Sequence, residues 1–291
     1  MDYLFHILIL TGIFTILAIS LDLLIGHLGI LSITHAGFFG IGAYVSALCS
    51  VEIGTSFLSG IAVGMLFGCL VSLVVSIPSL RLHDDYFVIG TFGFQMILFN
   101  VFNNWIAVTR GPMGIPGIPQ PTILGWNVTS GSAFLVLTTV FAVLTYFVSV
   151  LITSSPFGRV LHALRENEVF AQAQGKNALR FKVTAIAVSS SLAAMAGGLY
   201  AHYITYIAPA SFSVMESILM IAMVIIGGAG SRGGPFLGAF LLVILPEGLR
   251  FVGLPEAVAA NVRQMIYGGL LIVMMAFRPG GLVGRYQFAK E

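Results

Sequence analysis

Charge is what this chain has least of: lysine, arginine, aspartate and glutamate make up 8% of its 291 residues, against 58% apolar side chains and a mean hydropathy of +1.01. A soluble domain carries about a quarter of its residues charged, so that class is excluded. Cysteine is nearly absent. Cys49 and Cys69, each in or beside an apolar stretch, provide neither a disulfide framework nor a structural zinc site. A net charge of +2 with no basic stripe offers nucleic acid no footprint. There is no HExxH, Walker or Gly-x-Ser-x-Gly pattern. His83, Asp84 and Asp85 are adjacent and so point in different directions, a poor start for a metal or acid–base cluster. No catalytic residue, metal or cofactor is expected. The N-terminus lacks Lys and Arg before its first apolar run and has no evident cleavage pattern, so it reads as a retained helix.

What is present is a series of apolar stretches of about 20 residues, the length a helix needs to cross the hydrocarbon of a bilayer. The spans read Phe5–Leu24, Leu31–Ser50, Phe57–Ile77, Tyr86–Val108, Gly131–Thr153, Val183–Ile207, Val214–Gly230, Pro235–Arg250 and Val262–Phe277. The Gly-rich second span and the short seventh and eighth are alternatively re-entrant half-helices, giving about 8–10 helices in all. The fold class is therefore an all-α, polytopic helical bundle forming a single transmembrane domain over residues 1–291. Basic residues stay in the cytoplasm. With the N-terminus outside, Arg81, the Arg159–Lys182 segment, Arg232 and the tail residues Arg278, Arg285 and Lys290 fall inside; Arg110, Arg250 and Arg263 fall outside.

Small residues recur at helical spacing in the sixth span (Ala193, Gly197, Ala201 and Ser190, Ala194, Gly198) and the second (Ser32, Ala36, Gly40), where helices can approach closely. Those two spans belong inside the bundle, with Gly131–Thr153 outside. Polar side chains at membrane depth demand a partner or a water-filled cavity. Thr34, His35, Phe38, Gln95 and Asn100 are thus candidates for a translocation pathway. For His35 a hydrogen bond to a neighbouring helix is the plainer alternative. No charged group sits convincingly mid-span, where an ion-coupled carrier would be expected to place one; Asp22, Glu216, Glu247 and Glu256 map to span ends or loops. The outer segment Thr109–Thr129 carries Pro112, Pro116, Pro119 and Pro121, which favour an extended, turn-rich cap.

Between the fifth and sixth spans runs SPFGRVLHALRENEVFAQAQGKNALRFK, from Ser155 to Lys182, the one substantial stretch of soluble helix chemistry. Pro156 opens a helix with Phe157, Val160, Leu161 and Leu164 on its apolar face. Asn167 is an N-cap for a second, two-turn helix that Gly175 ends in the left-handed conformation. Val169, Phe170 and Ala173 share one side of it. So short a helix is unstable alone and packs either on the bundle and lipid headgroups or in the groove of a soluble partner.

Four stretches in order, Gly29–Ala43 (GILSITHAGFFGIGA), Thr109–Ile118 (TRGPMGIPGI), Leu164–Gly175 (LRENEVFAQAQG) and Gly227–Ala239 (GGAGSRGGPFLGA), are similar to those of the permease subunits of bacterial ABC importers for branched-chain amino acids. Gly26–Ala43 and Gly227–Ala239 also resemble each other, as internal repeats of transporters do. The family resemblance implies a coupling segment to an ATPase, with Arg165, Glu166, Ala171 and Gly175 matching its pattern, beside Asn167, Val169, Phe170 and Ala173. It implies a second homologous permease, two cytoplasmic ATP-binding subunits, and a periplasmic or lipid-anchored solute-binding protein. It further implies a place in the bacterial inner membrane, a small-molecule substrate, and no enzyme activity in this chain. Relatives of this kind import urea or short amides as well as leucine, isoleucine and valine. Outside the resemblance, a self-sufficient carrier or channel and an intramembrane enzyme are the rival readings.

Overall fold

The computed structural model describes residues 2–82, 85–123, 126–250, 256–278 and 280–283. His83, Asp84, Arg285 and Lys290 lie outside these residues, as do the side chains of Asp85, Glu247, Arg250, Glu256 and Arg263. Helices α1 (Asp2–Asp22), α2 (His35–Val51), α3 (Phe57–Ser79) and α4 (Asp85–Asn104) are followed by a single turn, α5 (Ile106–Thr109), and a Pro-rich segment. Then come α6 (Gly131–Ser154), α7 (Pro156–Glu166), α8 (Glu168–Ala173), α9 (Ala178–Ile204), α10 (Val214–Gly227), α11 (Gly234–Arg250) and α12 (Glu256–Phe277). Five stretches are long and apolar enough to cross a membrane, and α2, α10, α11 and α12 supply shorter apolar ones. Each of the nine expected spans thus corresponds to a helix, in an all-α polytopic membrane architecture.

Helix order in space follows side-chain size. In α1 72% of the most apolar window is buried and in α9 67%, but only 11% in α6, which shows Val136, Val140, Leu144, Phe147 and Leu151 to the outside. The expected division into inner and outer helices holds. Helices α2 and α9 approach each other closely. A Cβ added to Gly42 would stand 1.9 Å from the Ala194 carbonyl oxygen, and one added to Gly197 would stand 2.0 Å from that of Phe39. Any side chain there would push the backbones apart. Gly40 of α2 instead faces the rings of Phe102 and Phe212, and the Ala36 amide bonds Ser217 of α10. The Ser32–Ala36–Gly40 row is therefore not the α9 seam; α2 turns that side to α4 and α10.

The Pro-rich segment is a cap, as its prolines require. Strand β1 (Ile115–Pro116) pairs antiparallel with β4 (Tyr206–Ile207), and β2 (Thr122–Ile123) with β3 (Trp126–Asn127). Ile115, Ile118 and Ile207 are buried beneath it. His202 of α9 fastens it: Nδ1 is 2.7 Å from the Pro119 carbonyl, while Ser46 and Ser50 lie 3.1 and 3.3 Å from Nε2. A carbonyl only accepts, so the proton is on Nδ1 and the serines donate to Nε2.

Candidate functional site

Two interrupted helices meet inside the bundle. After Asp22 the chain runs through a π-helical stretch, Leu23–Leu28, and ends at Gly29 with φ 76°, where the Ile30 amide reaches back 3.0 Å to the Leu24 carbonyl. The second span therefore enters its helix only at His35, later than its hydropathy predicts. From the other side, a 3-10 turn, Pro209–Phe212, precedes the short α10.

Gln95, fully buried halfway along α4, holds both interruptions. Its Oε1 accepts the Gly37 amide at 2.7 Å and its Nε2 donates to the Phe212 carbonyl at 2.9 Å. Only this orientation of the amide matches donor to acceptor at both ends. Thr34 Oγ1 donates to the Thr91 carbonyl at 2.8 Å, and Thr91 Oγ1 accepts the Ile33 amide at 3.2 Å. His35 Nε2 lies 2.9 Å from Ser20 Oγ, whose own proton goes to the Leu17 carbonyl. His35 thus donates from Nε2 to the neighbouring helix α1. Ser189 of α9 donates to the Ser20 carbonyl at 2.6 Å, so one turn of α1 anchors two other helices.

Of the sequence-predicted pathway residues, Thr34, His35 and Gln95 come together at this crossing. Phe38 is buried in the core nearby. Asn100 stands apart: it is exposed, and its Nδ2 donates to the Met96 carbonyl of its own helix. Sequence reasoning missed Ser20, Ser217 and Phe212. Only the run of Pro209, Ser211 and Ser213 before an apolar stretch hints at a break there.

The segment from Ser155 to Lys182 is the second centre. The Ser155 hydroxyl caps α7, accepting the Gly158 amide at 3.3 Å, with Pro156 in the first turn. Leu161 and Leu164 are buried. Asn167 Oδ1 caps α8 through the Phe170 amide at 2.9 Å, and Gly175 follows with φ 80°. Helix α8 is a single six-residue stretch, shorter than two full turns. Its inward residue is Ala171, whereas Ala173 is exposed. Glu168 explains the choice of face. Its Oε2 meets Lys182 Nζ of α9 at 2.6 Å and its Oε1 accepts from Gln172 at 3.1 Å, which rolls Val169 and Phe170 outward. Those two are 77% and 61% exposed.

Arg165 ties this segment to the bundle through Nη1, which donates to the Gly26 carbonyl at the end of the first span. A Cβ on Gly26 would be 2.2 Å from the Gly230 nitrogen, and Asp22 Oδ1 accepts the Gly230 amide at 2.8 Å. The two mutually similar stretches thus touch each other where Arg165 arrives. A cleft of about 720 Å³ opens there, with His162, Arg165, Glu166 and Arg232 on its walls. Burial, then the Arg165 charge, lowers the His162 pKa from its ordinary value; Glu166 opposes this. Among the described residues no group of three or more His, Cys, Asp or Glu could hold a metal ion.

The family described as branched-chain amino acid transport system / permease component matches residues 3–275. The high-affinity branched-chain amino acid transport system permease protein LivM of Escherichia coli is 33% identical, covering 94% of this chain and 68% of that one. The probable LivM permease of Methanocaldococcus jannaschii is 28% identical, over 97% of this chain and 93% of its own. The E. coli permease protein LivH is 22% identical, over 100% and 97% respectively. No solved structure matches. With a family match running across nearly the whole helical bundle and a third of positions shared with a curated permease, the chain belongs to the branched-chain amino acid transport system permease family.

Proposed function

We propose that this chain is one of two homologous permease subunits in an ATP-driven importer that carries branched-chain amino acids across the bacterial inner membrane. Two cytoplasmic subunits hydrolyse ATP, and an external binding protein delivers the solute. The observation that carries this reading is α8: a capped helix presenting Val169 and Phe170 to water while its other side is tethered by Glu168 to Lys182. A six-residue helix does not hold its shape for its own sake. It is built as a ridge to enter a groove, with apolar anchors of the kind that dominate docking energy.

A push on this ridge has a physical route inward. Helix α7 carries Arg165 onto the Gly26 carbonyl, and Gly26 abuts Gly230 in the loop between α10 and α11. Movement of the ridge therefore acts on the end of the first span and on the α10–α11 turn together. Solute would pass between two such chains, with selection made mainly by the external protein.

The test replaces Val169 and Phe170 with aspartate in the assembled transporter. The chain should remain folded in the membrane, the ATPase subunits should cease to co-purify, and leucine uptake should fall to background. Retained assembly with normal uptake would overturn the assignment. Competition of uptake by isoleucine and valine, set against urea and short amides, fixes the substrate class in the same assay.

A further inference from the structure

A groove of about 550 Å³ runs along the periphery of the bundle between α1, α6 and α11. Its walls include Thr11, Thr15 and Thr139, yet none of these hydroxyls is offered to a ligand. Each donates to a carbonyl one turn back in its own helix: Thr11 to Ile7 at 2.8 Å, Thr15 to Thr11 at 2.7 Å, Thr139 to Leu135 at 2.8 Å. The groove is apolar along its length. The exception is one end, where Arg232 lines it; Arg232 is exposed, and no ion pair to it occurs among the described residues.

The register of the walls shows which end that is. Gly131 of α6 faces Phe5 of α1, and Gly12 of α1 faces Thr138, so the two helices run parallel with matched levels. Continuing this register puts Tyr146 beside Ile19, at the end opposite Leu8. Arg232 stands two residues before α11, whose Phe236 and Phe240 line the groove further along. From Leu8 to Ile19 a helix rises about 16 Å, close to half of a hydrocarbon core of about 30 Å. Gly230, two residues before Arg232, abuts Gly26, seven residues beyond Ile19, so Arg232 lies toward the end of the first span, where a guanidinium reaches the headgroups.

We propose that this groove holds one acyl chain of an anionic phospholipid, whose phosphate pairs with Arg232. The fit is one of shape and charge: an occupant apolar for about 16 Å and anionic at one end. A guanidinium matches phosphate with two parallel donors, and anionic headgroups already concentrate basic side chains at the membrane surface. A helix of a second protein would match the apolar length but would leave the guanidinium without its counter-charge.

The transporter, purified with its co-extracted lipid, is analysed by native mass spectrometry and lipid extraction against Arg232→Gln, Arg232→Lys and Ala142→Trp. Phosphatidylglycerol is the probe and phosphatidylcholine, added in excess, the control. Wild type and Arg232→Lys should retain phosphatidylglycerol. Arg232→Gln should lower its retention at least fivefold with phosphatidylcholine unchanged, and Ala142→Trp, which fills the groove, should lower both. Equal phosphatidylglycerol retention in wild type and Arg232→Gln overturns the proposal. So does free fatty acid recovered in its place, or cross-linking of the Val143→Cys variant to a second polypeptide. Arg232→Gln decides the matter even if the tryptophan variant fails to fold.

Discussion

Around Gln95 the chain buries polar groups and supplies a partner for each end of the amide; on α8, which the proposed function places in the cytoplasm, it leaves two apolar side chains exposed. Both depart from the simple rule of apolar inside and polar outside, but in opposite senses. The interior crossing is complete within one chain. Gln95 gains a donor and an acceptor from segments far apart in sequence, so it fastens two helix interruptions that lipid could not solvate. Helix α8 is incomplete. Its caps and its Glu168–Lys182 tether fix its shape, yet nothing among the described residues covers the face they present. Groups that finish a fold are paired from within; the groups proposed to serve a partner are held in place and left open.

The largest effect expected within this comparison is at Gln95. Gln95→Leu keeps the volume but leaves the Phe212 carbonyl buried without its donor; the Gly37 amide retains the Thr34 carbonyl at 3.0 Å. An unsatisfied buried acceptor costs about 1–3 kcal/mol. The purified chain should therefore unfold at a lower temperature, in proportion to that loss, with ATPase co-purification unchanged in the fraction that stays folded. If Gln95→Leu abolished transport while leaving the unfolding temperature untouched, the crossing would be solute-contacting machinery and the comparison would break.

Asn167→Ala is smaller and acts on the other side. Loss of an N-cap costs about 1 kcal/mol, here confined to one short helix. Hydrogen exchange at the Phe170 amide, the capped group, should accelerate by about fivefold, the factor that such an energy implies. Asn167→Asp, an equally good cap, should restore it. Global unfolding should hardly move. A change in unfolding temperature as large as that of Gln95→Leu would mean that α8 belongs to the core after all.

The two regions also differ in how far they could be read from sequence. The α8 cap was legible because its determinants are adjacent: Asn167, the amide it bonds and Gly175 all lie within one short stretch. Its buried face was not, because the choice of Ala171 over Ala173 is made by Lys182 on another helix. The nine apolar runs were legible from length and hydropathy. The late start of α2 at His35 was not, since hydropathy continues through the Gly29–Thr34 loop. Gln95 stood out as a polar residue in a span, but its partner Phe212 contributes only a backbone carbonyl. A carbonyl carries no signature in sequence, and the same holds for Pro119 beneath His202 and Gly26 beneath Arg165.

The smallest expected effect comes from His162, in the cleft beside Arg165. Its pKa is lowered in the fold, chiefly by burial. The neutral ring is therefore favoured, and its contribution to stability is present above the ordinary value of 6.5 and lost as pH falls from there toward the lowered value. The side chain is exposed on one side, so solvent screening keeps the effect slight in the isolated chain. Between pH 7.5 and 5, the unfolding temperature of wild type should drop slightly more than that of His162→Gln. A partner seated on α8 would cover this cleft and deepen the desolvation. The same pair of variants should then diverge further in the assembled transporter than in the chain alone. An equal pH dependence in both would place the docked surface away from His162, and would separate the exposed ridge from the cleft behind it.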